Sequence, residues 1–189
     1  MEQTLEQYNA IADACRSTFA VKTRDYGTAW RILRPSSLTD QIMIKARRIR
    51  TLQEVHEAQV DEPPEDAFRA IINYGLMALI QLEEVSITLD DVELTPEEAL
   101  QRYDTQLTAT RDLMIRKNHD YGEAWRNMRV ASITDMILMK LLRIKQIEDN
   151  QGQTEASEGL ASNYQDIINY AFFALILLEE DSTTPSKNN

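Results

Sequence analysis

Seven polar or aromatic residues of this chain recur 95 positions apart: Lys22 and Lys117, Asp25 and Asp120, Tyr26 and Tyr121, Trp30 and Trp125, Arg34 and Arg129, Lys45 and Lys140, Arg48 and Arg143. Lys140 and Arg143 are three residues apart, as are Lys45 and Arg48, so on a helix each pair shares a face and can address one anion. Arginine offers a planar fork to phosphate oxygens and lysine a compact charge. Tyr121 and Trp125 present ring faces on which a base can stack; the alternative is that the aromatics plug a loop against the core. For Asp25 and Asp120 a turn-capping role weighs more than catalysis. A second set follows in each copy. Glu158, Asp166 and Asn169 stand at helical spacing on one face, and their first-copy counterparts are Glu62, Asp66 and Asn73, with Ala70 in the place of Asp166. Carboxylates and amide oxygens are hard ligands suited to Mg²⁺. Asn73 and Asn169, set in apolar surroundings, equally suit a register-fixing hydrogen bond. A metal face opposite a basic face is the equipment of phosphoryl chemistry, with metal activating water and cations taking up charge. Neither a G-x-x-x-x-G-K-[ST] loop nor a G-x-G-x-x-G string occurs. His56 and His119 do not align under the repeat, which argues against a histidine-based site.

The elements that must position these residues are themselves duplicated. "DYGTAWRILRPSSLTDQIMIKARRI" lies over "DYGEAWRNMRVASITDMILMKLLRI" without a gap, and "IINYGLMALIQLEE" lies over "IINYAFFALILLEE" at an offset of 96, so the second copy carries one inserted residue between the blocks. Self-similarity at a fixed period implies a repeated structural unit. Each copy reads as three helices. The first has Tyr8, Ile11, Ala12, Cys15 and Phe19 at helical spacing and is expected to end near the lysine, where the glycine of D-Y-G breaks it. An irregular segment through the tryptophan follows. The second helix is expected to start with Ser37 or Ser132 as cap. The third is apolar nearly all round and must be buried on most sides. The fold class is therefore all-α, with six main helices in two pseudo-twofold-related three-helix repeats packed as one bundle. The expected boundaries are 1–85 for the first repeat, 86–95 for an acidic linker, 96–180 for the second repeat and 181–189 for a disordered tail. Pro96 opens the fourth helix.

A formal net charge of −11 argues against a protein that coats DNA or an anionic membrane. The acidic residues concentrate in the linker and near the end, whereas the repeated strings are basic. A small anionic ligand suits that distribution better than a polymer. The single Cys15 suits a reducing compartment and reads as a small buried hydrophobe. The first residues lack the basic and apolar regions of a signal peptide, and no apolar run approaches the roughly 20 residues of a membrane span. A cytoplasmic location is expected.

The combination K-x-x-D-Y-G-x-A-W, S-x-T-D, K-x-x-R-I and I-I-N-Y resembles the nucleotide modification associated domain 1 family, once per half and over almost the whole chain. That resemblance implies a role in nucleotide metabolism. A more distant similarity is to the all-α MazG-like and dimeric dUTPase-like pyrophosphohydrolases, which have paired helical halves and use Mg²⁺ to cleave nucleoside triphosphates. Their E-x-x-E is absent from the central turns of the second helix. The expectation is a Mg²⁺-dependent nucleotide-binding protein with pyrophosphohydrolase activity, better preserved in the second copy. Glu158, Asp166 and Asn169 would hold metal, Lys117, Lys140 and Arg143 phosphates, and Tyr121 and Trp125 the base. The alternative is a non-catalytic helical module that binds a nucleotide or a protein. The two halves form a pseudo-dimer, with a further homodimer left open. The D-Y-G-x-A-W string is expected to be a corner with a left-handed glycine that brings Lys117 and Arg129 towards an exposed Lys140–Arg143 face.

Overall fold

Two helices, Pro64–Glu83 (α3) and Leu160–Thr183 (α6), carry apolar side chains on nearly every face, and the other four main helices are arranged to cover them. These are α1 (Glu2–Tyr26), α2 (Pro35–Val55), α4 (Pro96–Tyr121) and α5 (Val130–Asp149). The structure is a computed structural model that describes residues 1–55, 59, 62–84, 87–153 and 159–183. Short 3₁₀ turns occupy Ala29–Ile32, Leu89–Asp91 and Ala124–Asn127, and no strand occurs among the described residues. α3 packs against α6 at the centre, α2 and α5 lie over that pair, and α1 and α4 pack on each other and on both central helices. α3 passes close to α6 at Gly75, where a Cβ would stand 2.6 Å from Ile168 Cγ1. The second copy has Ala171 in that place and tolerates its methyl group, so the two halves differ slightly at the crossing. No helix among the described residues is long and apolar enough to cross a membrane.

The bundle is closed by polar pairs that cross from one half to the other, nearly every one made twice. Tyr8 Oη donates to Asn169 Oδ1 at 3.0 Å, and Tyr103 Oη donates to Asn73 Oδ1 at 2.7 Å. Each asparagine then gives its amide to a backbone carbonyl of its own half, Asn169 to Thr110 and Asn73 to Cys15. Arg16 makes a bidentate pair with Asp104, and its counterpart Arg111 reaches Asn9. Thr39 bonds Glu148, while Gln53 bonds Thr134. Glu84 accepts from Arg31 of its own half and Arg102 of the other; Glu180 accepts from Arg126 and Gln7 in the same two relations. These reciprocal bonds are the pseudo-twofold expressed in side chains.

Several local expectations need correction. α2 and α5 begin at Pro35 and Val130, so Ser37 and Ser132 lie inside the first turn and cap nothing. Proline fixes the φ that a helix start requires, which moves the boundary forward. Asp40 and Asp135 instead pair across the halves with Lys145 and Arg50. α1 and α4 continue past the lysines to Tyr26 and Tyr121 before a glycine stops them. α6 runs to Thr183, into the segment expected as a tail, whose remaining residues lie outside the described ones. Other expectations hold: Pro96 opens α4 behind a Thr95/Glu98 capping box, and Cys15 is a buried wall residue whose thiol burial pushes up to about 12.

Both corner glycines have positive φ, Gly27 at 66° with ψ −151° and Gly122 at 62° with ψ 35°. A Cβ at either would meet nothing within 4 Å, so the cost of a side chain there is conformational rather than steric. Gly122→Val is expected to lower the unfolding free energy by about 1–3 kcal/mol. Gly27→Val should cost at least as much, because its ψ lies in a region that only glycine visits readily. Urea denaturation of both variants measures this. A second prediction concerns acid. Hydrogen bonds from Gln7 and then Arg126 hold the Glu180 carboxyl below its ordinary value of 4.5. Because the folded-state value is the lower one, the stability Glu180 contributes is fully present above the unfolded value and is lost as pH falls through the folded one. Glu180→Gln should therefore destabilise the protein at neutral pH and flatten the acid limb of its stability profile, as read from urea midpoints between about pH 3 and 7.

Candidate functional site: a cavity made twice

Because α1 runs on to Tyr26, Lys22 and Tyr26 stand four residues apart on one helix face; Lys117 and Tyr121 do the same on α4. The glycine then turns the chain back, and the 3₁₀ turn lays the tryptophan against the third helix of the same half. A cavity opens between these three elements in each half. The first, of about 480 Å³, is lined by Lys22, Thr23, Tyr26 and Trp30, by Asn73, Tyr74 and Met77 of α3, and by Lys45, Glu62, Asp66, Arg69 and Ala70. The second, of about 420 Å³, is lined by the counterparts Lys117, Asn118, Tyr121, Trp125, Asp166, Asn169, Tyr170 and Phe173. Both volumes fall in the range of small-molecule sites.

Each wall carries a tryptophan, two tyrosines and a phenylalanine among its aliphatic and polar side chains. Trp125 is 6 % exposed and stacks on Phe173 with centroids 4.2 Å apart and planes at 4°. Trp30 meets Phe19 edge-on at 6.0 Å. In both halves the indole Nε1 is buried without a hydrogen-bond partner. The tryptophans are thus plugs on one side and cavity wall on the other, which joins the two alternatives. Tyr26 and Tyr121 are 76 % and 74 % exposed at the rims.

The charged groups differ between the halves. In the second, Asp166 receives Lys117 on one oxygen and Lys140 on the other, the latter at 2.9 Å. Lys140 is buried, not exposed as the sequence suggested, while Arg143 on the next turn is exposed. In the first half Lys45 bonds Glu62 at 3.3 Å, and Arg48 donates to the backbone carbonyl of the same residue at 2.6 Å. Arg34 and Arg129 are exposed and line neither cavity. Asp25 and Asp120 also stay outside the linings; Asp120 meets His119, and neither caps the turn. The sequence pointed to Lys22, Lys117, the tyrosines and the tryptophans. It missed Thr23, Tyr74 and Tyr170; the last two stand directly after Asn73 and Asn169 in the repeated I-I-N-Y string, a signal that was there to read.

The described residues expected to hold Mg²⁺ already have protein partners. Asn73 and Asn169 spend their amide oxygens on tyrosine hydroxyls. Asp166 is bound by two ammonium groups, Glu62 by Lys45 and Arg48, and Asp66 by Arg69 at 3.0 Å. A dication brought to these oxygens would meet cations already in place. No group of three or more carboxylate, histidine or cysteine side chains able to hold a metal ion occurs among the described residues. Glu158, part of the expected set, lies outside the described residues.

A family model described as nucleotide modification associated domain 1 matches residues 22–82 and 117–178, more than half of the chain. Each matched segment begins at a cavity lysine. No curated protein and no solved structure matches the chain.

The burial of Lys140 against Asp166 reverses one expected mutational outcome. Lys140→Ala strips a charge-assisted hydrogen bond from a mostly buried carboxylate, and a loss of about 1–3 kcal/mol in unfolding free energy is expected. Lys45→Ala removes a more exposed and longer contact, with an expected loss below about 1 kcal/mol. Parallel urea titrations compare the two.

Proposed function

The chain belongs to the nucleotide modification associated domain 1 family, and we propose that it binds a nucleotide-class small molecule in the cavity beside the D-Y-G-x-A-W corner, without a metal ion. One observation carries this reading: the same cavity is built in both halves, with a lysine, a tyrosine and a tryptophan at equivalent places in its lining. Flat rings suit the space between tryptophan and tyrosine, while lysine suits a phosphate oxygen. The family's description points to the same class of ligand. Among the described residues the carboxylates expected to hold Mg²⁺ are already paired with lysine and arginine, which favours metal-free binding over a Mg²⁺-dependent pyrophosphohydrolase. The crossed polar pairs account for most of the other repeated charges among the described residues as fold-holding groups.

The experiment is a calorimetric titration with ribo- and deoxyribonucleotides, in Mg²⁺ and in chelator, with pyrophosphate release assayed in parallel. Saturable binding of equal affinity with and without Mg²⁺ is expected, and Trp30→Ala combined with Trp125→Ala should weaken it at least about tenfold, since stacking on an aromatic is worth roughly 1–3 kcal/mol per base. Binding of no nucleotide overturns the reading. Release of pyrophosphate only with Mg²⁺ replaces it with the hydrolase.

A further inference from the structure

The two cavities are related by the repeat, but they are not in the same state. In the second, Lys117 and Lys140 close on one carboxylate, that of Asp166. The first half has the same two lysines, Lys22 and Lys45, both in the cavity wall, and Ala70 in the place of the carboxylate. Lys22 makes no ion pair or side-chain hydrogen bond among the described residues. Lys45 gives one proton to Glu62, whose charge Arg48 shares, and a lysine ammonium has three protons to give. Beside them the Thr23 hydroxyl, in a residue only 4 % exposed, is buried in the wall without a partner. Its counterpart in the second half, Asn118, is satisfied by Met114 Sδ at 3.1 Å.

We infer that these are an open and a self-occupied form of one anion site. Asp166 is the built-in occupant of the second half, and in the first half the anionic group of an external ligand takes the place that Ala70 leaves, between Lys22 and Lys45. The inference rests on the binding reading above and narrows it in two ways. It assigns the ligand to the first half, opposite to the half that the sequence favoured for its extra carboxylate. It also limits the anion to one that stands in for a single carboxylate, so the ligand class is a nucleoside monophosphate rather than a triphosphate. The carboxylate of Asp166 had looked like a metal ligand because its type was right; its position between two lysines makes it a ligand mimic instead.

Equilibrium dialysis of the full chain tests this, with each nucleoside monophosphate and, separately, with inorganic phosphate. One molecule bound per chain is expected. Ala70→Asp supplies the carboxylate that the first half lacks and should weaken binding by more than about tenfold. Lys22→Ala, at an exposed lysine with no structural partner, should do the same with an unchanged melting temperature. Asp166→Ala should raise the number bound to two; if that variant melts below the working temperature, the other two variants decide. Two molecules bound by the unaltered chain, or binding indifferent to both Ala70→Asp and Lys22→Ala, overturns the inference. Phosphate held in the expected pattern without preference for a monophosphate overturns the nucleotide reading and leaves the anion site standing. A monophosphate bound without the pattern does the reverse, and binding of neither probe overturns both.

Discussion

The structure depends on the way two nearly all-apolar helices are buried without losing their register. α3 and α6 are apolar over most of their surface, so hydrophobic burial fixes their rotation less sharply than it fixes that of the outer helices. Asn73 and Asn169 remove that freedom. Each sits among apolar side chains and is satisfied only when the tyrosine of the opposite half and a carbonyl of its own half are both in reach. A buried amide left unpaired costs free energy of the order of 1–3 kcal/mol. The correct pseudo-twofold arrangement is the one in which both are paired at once. The outer charged pairs between α2 and α5 repeat the same logic at the surface, where each contributes little, while the Glu84 pair with buried Arg31 repeats it inside.

That arrangement also explains why the cavities exist. The first helix of each half must run far enough to reach across, so it ends beyond its lysine at Tyr26 or Tyr121. The chain then has only a glycine and a 3₁₀ turn in which to come back to its own second helix. Thr28 bonds Val92 and Leu94 at the approach to α4, and Glu123 bonds Thr4 at the start of α1, so each corner is fastened to the opposite half. The tryptophan is thereby held against the third helix from one side only, and space remains on the other. A duplicated gene segment made both corners, but only in the second does one carboxylate receive both lysines. The difference between Ala70 and Asp166 is a single side chain, and it decides whether the two lysines of a half meet on one carboxylate.

Much of the fold was legible because periodicity is a local property. The repeat, the six helices, the burial of the third helix in each half and the left-handed glycine all follow from spacing and from glycine's freedom at positive φ. So did the register role of Asn73 and Asn169, one of the two readings their apolar surroundings allowed. Helix boundaries were less legible, since Pro35 and the continuation through K-x-x-D-Y depend on contacts the local pattern does not encode.

For the site, the sequence determined the inventory: which lysines, tyrosines and tryptophans are repeated, and that Ala70 breaks the repeat. Tertiary structure alone decided what they do. Asp166 has the chemistry of a metal ligand in one dimension and the surroundings of a salt-bridge acceptor in three, because the two lysines that claim it come from α4 and α5, 49 and 26 residues away along the chain. Arg34 and Arg129, with the same charge, ended outside the cavities because the earlier helix starts left them at exposed caps. Residue type fixes what a group can bind; the packing of distant helices fixes whether anything else has already bound it.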